Sequence, residues 1–112
     1  MAVFRATFGY ADSQHIANRA RTNSGNPVFL GRNANALDEL STTASSQKLQ
    51  DGGGDFAAPS FGYVTMRADG AVWVHVAEAP VAVVAKGFYM DIGERLTLAL
   101  EEDDKIAVIN DS

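Results

Sequence analysis

The sequence predicts an all-β fold: an antiparallel β-sandwich or barrel, jelly-roll-like, with an extended and partly irregular N-terminal arm. Three observations predict it. From Phe56 onward, short runs rich in valine, leucine and isoleucine replace the polar, broken character of the first half. Turn signals separate those runs about every ten residues, as between consecutive strands of a sandwich. Finally, Arg95-Leu96-Thr97-Leu98-Ala99-Leu100 alternates with period two, which sets three leucines on one face and Arg95 and Thr97 on the other.

Taken in order, the elements begin with Ala2–Tyr10, a short apolar stretch. Phe4, Ala6 and Phe8 alternate there, but Phe4 and Phe8 are also four apart, so spacing fits helix and strand alike. Residues 18–26 are polar or small, and Pro27-Val28-Phe29-Leu30 is an apolar run ended by Gly31. Asn33 to Gln50 is rich in Asn, Ser, Thr and Ala. Within it, residues 34–41 fit a short helix capped by Asn35 with Asp38 and Glu39 in the first turn, and equally a strand or loop. Asp51-Gly52-Gly53-Gly54-Asp55 reads as a flexible break, because glycine loses the most entropy on ordering.

The second half reads as consecutive strands. Phe61–Arg67 is followed by Ala68-Asp69-Gly70, whose Asp-Gly pair is a hairpin signal. In Ala71–Val76, Val72, Val74 and Val76 share one face and Trp73 and His75 the other. Neither face is plainly polar, so this strand is expected to be covered on both sides. Glu78-Ala79-Pro80 marks a corner, and Val81–Ala85 is expected to be a strand because β-branched valines favour one. Gly87-Phe88-Tyr89-Met90 continues it past a bulge or begins a crossover. Asp91–Glu94 is a turn, Glu101–Asp104 an acidic corner, and Lys105–Ile109 the last strand. There is no internal repeat of fixed period.

The 112 residues suffice for one domain with one core. Residues 1–55 read as an N-terminal arm and polar linker, partly disordered in the free protein and ordered on assembly; residues 56–112 read as the sandwich core. No run of 18 apolar residues predicts a membrane span. Met1–Tyr10 lacks the basic and long apolar regions of a signal peptide, so the expected site of synthesis is the cytoplasm. With no cysteine, disulfide frameworks, zinc-thiolate sites and thiol catalysis are excluded. A small domain without such staples depends on its core, often helped by oligomerisation. The net charge of −5 falls wholly on residues 56–112, with four basic against nine acidic groups, while residues 1–55 balance five against five. An acidic folded half argues against sequence-independent nucleic-acid binding.

The sequence does not assemble catalytic chemistry. A nucleophilic triad needs a base beside a serine and an acid to orient it. The two histidines, His15 in a polar stretch and His75 two residues from Trp73 on one strand face, have no such company. Two histidines without cysteine give no transition-metal set, and Glu101–Asp104 lacks the alternating oxygens and glycine turn of a calcium loop. Asp51–Asp55 lacks the Lys-Ser/Thr ending of a phosphate loop. Asp69 and Asp91 sit in turns, where aspartate bonds local backbone. The expectation is therefore no enzyme, no metal and no cofactor. The ten aromatics lack basic interleaving and read as core or subunit interface; Tyr63 and Trp73 remain an alternative platform for a carbohydrate.

The stretch from Ser41 to Ile109 resembles a known group. The Ser/Thr-rich lead Ser41–Ser46, the run Val64-Thr-Met-Arg-Ala-Asp-Gly-Ala-Val-Trp-Val-His-Val76, the corner Ala79-Pro-Val-Ala82, the strand Ile92-Gly-Glu-Arg-Leu-Thr-Leu98 and the closing Asp104-Lys-Ile-Ala-Val-Ile109 carry the likeness. This pattern is similar to the small β-sandwich accessory proteins of tailed-bacteriophage virions: capsid decoration or cement proteins and head-fibre-like attachments. It covers roughly the last 70 residues and is a pattern of strands and turns, with Asp103-Asp104 departing from the more typical Gly-Asp. The resemblance implies a structural protein on the capsid surface of the virion. Its partners would be the major capsid protein lattice and further copies of itself, for which a trimer on a local threefold axis is a natural form. A tail, neck or fibre-base position is the alternative. It also implies that the first half is an arm across neighbouring subunits, with Val3, Phe4, Phe8, Tyr10, Val28, Phe29 and Leu30 as its contacts. No nucleic acid and no membrane partner is expected.

Overall fold

The computed structural model describes residues 2–10 and 34–111. Eleven strands occur among them: β1 (Val3–Gly9), β2 (Asn35–Ala36), β3 (Leu40–Ser41), β4 (Gln47–Lys48), β5 (Gln50–Asp51), β6 (Gly54–Asp55), β7 (Gly62–Ala68), β8 (Val72–Ala77), β9 (Phe88–Met90), β10 (Arg95–Leu100) and β11 (Lys105–Asn110). Nine of them build two antiparallel sheets, and β5 and β6 pair with each other as a separate hairpin. The first runs β10-β7-β1, with β2 and β3 both on the far edge of β1; the second runs β4-β11-β8-β9. The fold is a β-sandwich.

Period two decides which residues meet between the sheets. Phe4, Ala6 and Phe8 of β1, Val64, Met66 and Ala68 of β7 and Leu100 of β10 face Val72 and Val74 of β8, Met90 of β9, and Ile106 and Val108 of β11 in one buried cluster. Full burial of a side chain the size of Phe4 contributes about 1.5–3 kcal/mol of apolar transfer energy. Leu96 and Leu98 point inward as their alternation predicts, but only partly buried, because β10 is an edge strand. Gly62 leaves room for the Phe8 ring: a Cβ there would stand 2.6 Å from Phe8 Cζ.

The expected division into a 1–55 arm and a 56–112 core does not hold for the described residues. β1 lies in the middle of the first sheet, paired along its length with β7, from Phe4 opposite Ala68 to Gly9 opposite Tyr63. Thr42, fully buried, fastens it. Its hydroxyl accepts from Ala2 N at 3.0 Å and faces the Ala2 carbonyl and Asn110 Oδ1, one of which takes its proton. Ala2 is thus tied toward β11 of the opposite sheet. A strand whose alternate residues are fully apolar is held by the core it completes, which is why a polar stretch after it does not make it an arm.

Three local readings change as well, and one left open is decided. Asp69-Gly70 does not close a hairpin, since β7 and β8 belong to different sheets. Asp69 instead turns to β1: its Oδ1 accepts from Val3 N at 2.7 Å and its own N–H donates to Val3 O at 3.2 Å. Asp51–Asp55 is no flexible break but a hairpin, with Asp51 opposite Gly54, and Gly52 and Gly53 at φ +66° and +92°. Gly53 N is held by Asp38 Oδ2 at 3.0 Å. Residues 34–41 form no helix, because the β1 edge recruits Asn35–Ala36 and Leu40–Ser41. Val81–Ala85 is not a strand: its Val81 and Ala82 amides bond to the His75 and Ser46 side chains.

Candidate functional site

The chain between β8 and β9 folds back over the outer face of the second sheet. His75 Nδ1 accepts from Val81 N at 3.1 Å, Ser46 Oγ accepts from Ala82 N at 2.8 Å, and Lys105 Nζ donates to Glu78 O at 3.2 Å. Ala82 is buried against Ala107, Ile109 and the partly buried Trp73. This is the covering of both faces that the β8 sequence predicts. A turn then closes with Lys86 N donating to Val83 O, Ala85 at φ 69° and Gly87 at φ +91°. A Cβ at Gly87 would collide with the Val74 carbonyl oxygen, so the tight return to β9 requires glycine.

With Ala82 pointing in, its neighbours Val81 and Val83 point out. The segment's backbone bonds go to side chains rather than to a partner strand, and the valines are left in water. Val81 is 63% exposed and Ile92 70%, and Val83, Val84, Phe88 and Tyr89 are each exposed by more than two fifths. Six of the eight exposed large hydrophobic residues among those described lie between residues 81 and 92. Scattered exposed apolar residues need no explanation, but their concentration in one segment, on the edge strand β9 and its flanks, makes that segment the candidate contact surface.

Trp73 and Tyr89 form the polar margin of this edge. Their ring centroids are 5.0 Å apart, and Trp73 Nε1 donates to Asp111 Oδ1 at 2.6 Å. Partial desolvation first, then the carboxylates of Asp91, Asp111 and Glu94, raise the Tyr89 hydroxyl above its ordinary pKa, so it stays neutral and available as a donor.

Apart from Trp73, the residues singled out by sequence fall elsewhere. Phe4 and Phe8 are core, with Phe8 also packed on Phe56 at 5.4 Å, so they are not contacts of an arm. Val3 is half-buried on the outer side of β1, and Tyr10 is exposed, its hydroxyl accepting from Ser60 Oγ at 3.0 Å. Val28, Phe29, Leu30 and His15 lie outside the described residues. Tyr63 and Trp73 do not form one platform. Tyr63 faces outward from the first sheet beside Phe61, and Trp73 outward from the second beside Tyr89. His75 spends its Nδ1 on the Val81 amide. Glu101–Asp104 is a turn in which Glu101 N donates to Asp104 Oδ2 at 2.9 Å. Among the described residues no three His, Cys, Asp or Glu side chains gather into a metal set. The exposed edge itself was readable only as a missed signal: Val81-Ala-Val-Val84 lies between Pro80 and Lys86-Gly87 with no polar alternation.

Comparison with protein-family models, curated proteins and solved structures gives no significant match for this chain.

Proposed function

We propose that this chain is a structural, non-enzymatic virion protein, a capsid decoration or cement protein that binds the assembled head of a tailed phage. The observation that carries the reading is the apolar edge from Val81 to Ile92 on a rigid all-β unit. Phe88 and Ile92 would enter shallow apolar hollows of the lattice, with Tyr89 donating at the rim. Large aromatic and aliphatic anchors ringed by polar groups are how protein contacts concentrate their energy. The mechanism is mass action: a protein that binds only the assembled lattice stabilises that lattice. Repetition over a symmetric surface multiplies weak contacts. The strand-and-corner pattern from Val64 to Ile109 supports the phage assignment.

The test is co-sedimentation of the purified protein with heads of its own phage that lack it, with bound copies counted per particle. Hundreds of copies are expected. A dozen or fewer would move the protein to the neck, tail or fibre base, and no binding would refute the reading.

A further inference from the structure

The outer face of the first sheet carries an arrangement that its stability does not ask for. In register, Arg5 of β1 lies opposite Arg67 of β7, and Arg67 lies opposite Arg95 of β10. Three arginines therefore stand in one row, over about 10 Å at the usual strand spacing. Like charges directly opposite one another destabilise a sheet. The next row on the same face is conventional: Thr7, Thr65 and Thr97, with the Thr65 and Thr97 hydroxyls 3.1 Å apart and bonded. The arginines line a shallow groove of about 430 Å³ whose lining also includes Asp69, a carboxylate already engaged by the Val3 amide. Arg5 already holds a carboxylate, Glu39 Oε2, at 2.8 Å in full view of solvent. Among the described residues, Arg67 and Arg95 hold none. A row that seats a glutamate at one end, on a protein of net charge −5, is suited to protein carboxylates rather than to a polyanion.

The chain also supplies the complementary group. Glu101, Glu102 and Asp103 are exposed at the β10–β11 turn, while Asp104 is committed to the turn itself. That turn lies at the far end of β10 from Arg95, about 17–20 Å along the strand, so the two surfaces cannot meet within one molecule. They can meet between molecules. We propose that the arginine row Arg5-Arg67-Arg95 receives the Glu101-Glu102-Asp103 corner of a second copy, joining copies head to tail. Such a contact is heterologous. It closes into a ring if the rotation between copies permits and propagates as a filament otherwise. It stands on these charges alone and does not depend on the phage-head reading.

The test is sedimentation velocity on the full-length protein and two surface variants, R67E/R95E and E101K/E102K/D103K, with circular dichroism confirming that both fold. The wild type is expected to associate at about 0.05 M salt and to dissociate at about 1 M, where exposed charges are screened within about 3 Å. Each variant alone should associate at least about tenfold more weakly. A mixture of the two should form 1:1 pairs and nothing larger, because the first retains only the corner and the second only the row. A wild type monomeric at low salt, or one whose association neither salt nor either variant weakens, overturns the proposal. Loss of association in the arginine variant but not in the corner variant overturns the second copy's corner as occupant and leaves the row to another acidic protein surface.

Discussion

Replacing Phe4 by alanine separates a core strand from an assembly arm. Phe4 is wholly buried between the sheets, opposite Ala68 on one side and Leu40 on the other. Those neighbours belong to paired strands and cannot collapse far into the space left, so the change should cost about 3–5 kcal/mol. At about 0.05–0.15 kcal/mol per residue, 112 residues carry about 6–17 kcal/mol in all, so the loss is a large share. It corresponds to a fall in Tm of roughly 12–20 °C at about 4 °C per kcal/mol. Urea denaturation followed by Trp73 fluorescence is the assay. Trp73 sits in the second sheet, so it reports a first-sheet change only if both sheets unfold together. The midpoint should drop with the slope unchanged. Phe61→Ala, at a side chain 60% exposed, is the control and should stay within about 0.5 kcal/mol. If Phe4→Ala shifted stability no more than that control, β1 would be an arm after all.

Other expected outcomes concern single features. Thr42→Val should cost about 1–3 kcal/mol in chemical denaturation, because it leaves Ala2 N and the Asn110 side chain without their partner. Gly87→Ala should lower Tm and loosen the 81–92 edge, since the new Cβ meets the Val74 carbonyl at a positive φ; an unchanged Tm would show that the return to β9 has slack. Phe88→Ser with Ile92→Ser should abolish binding to phage heads while moving Tm by less than about 3 °C, both side chains being already exposed. Because the folded-state pKa of Tyr89 is raised, the folded protein holds this proton longer than the unfolded chain does. Stability from this group is complete below the ordinary tyrosine range and is lost as pH rises through it and beyond. Asp111→Asn should therefore lower the pH at which Tyr89 forms phenolate, read as the difference in absorbance titration between matched proteins with Tyr and with Phe at position 89.

Strand identity in the second half was legible because alternation is a local property. Leu96, Leu98 and Leu100 must share a face whatever they pack against, and Val72 and Val74 likewise. Sheet membership was not legible. The Asp69-Gly70 pair looks like a hairpin turn, and only the distant Val3 amide, which takes Asp69 Oδ1, redirects the chain into the other sheet. Val81–Ala85 has the residues of a strand but no neighbouring edge, since its amides are claimed by His75 and Ser46. The same limit hid both surfaces of interest. The exposed edge arises from a failed strand, and the arginine row joins residues 5, 67 and 95, which come together only through antiparallel register. The apolarity of Phe4 and Phe8 is plain in the sequence but their place in the core is not, because spacing alone does not choose between helix and strand and their partner β7 lies about 60 residues away.

The central place of β1 has a kinetic consequence. The Val3 amide finds its acceptor 66 residues later, at Asp69, and Thr42 finds Asn110 68 residues later. At synthesis rates of about 5–20 residues per second, the first strand waits about 3–13 s on the ribosome before its main neighbour emerges, with Phe4 and Phe8 uncovered throughout. Loops of such length close late and earn no local reward on the way, so the sandwich should form slowly and all at once, only after β11 is available. During that interval the nascent first strand is a natural client for chaperones that bind short apolar segments.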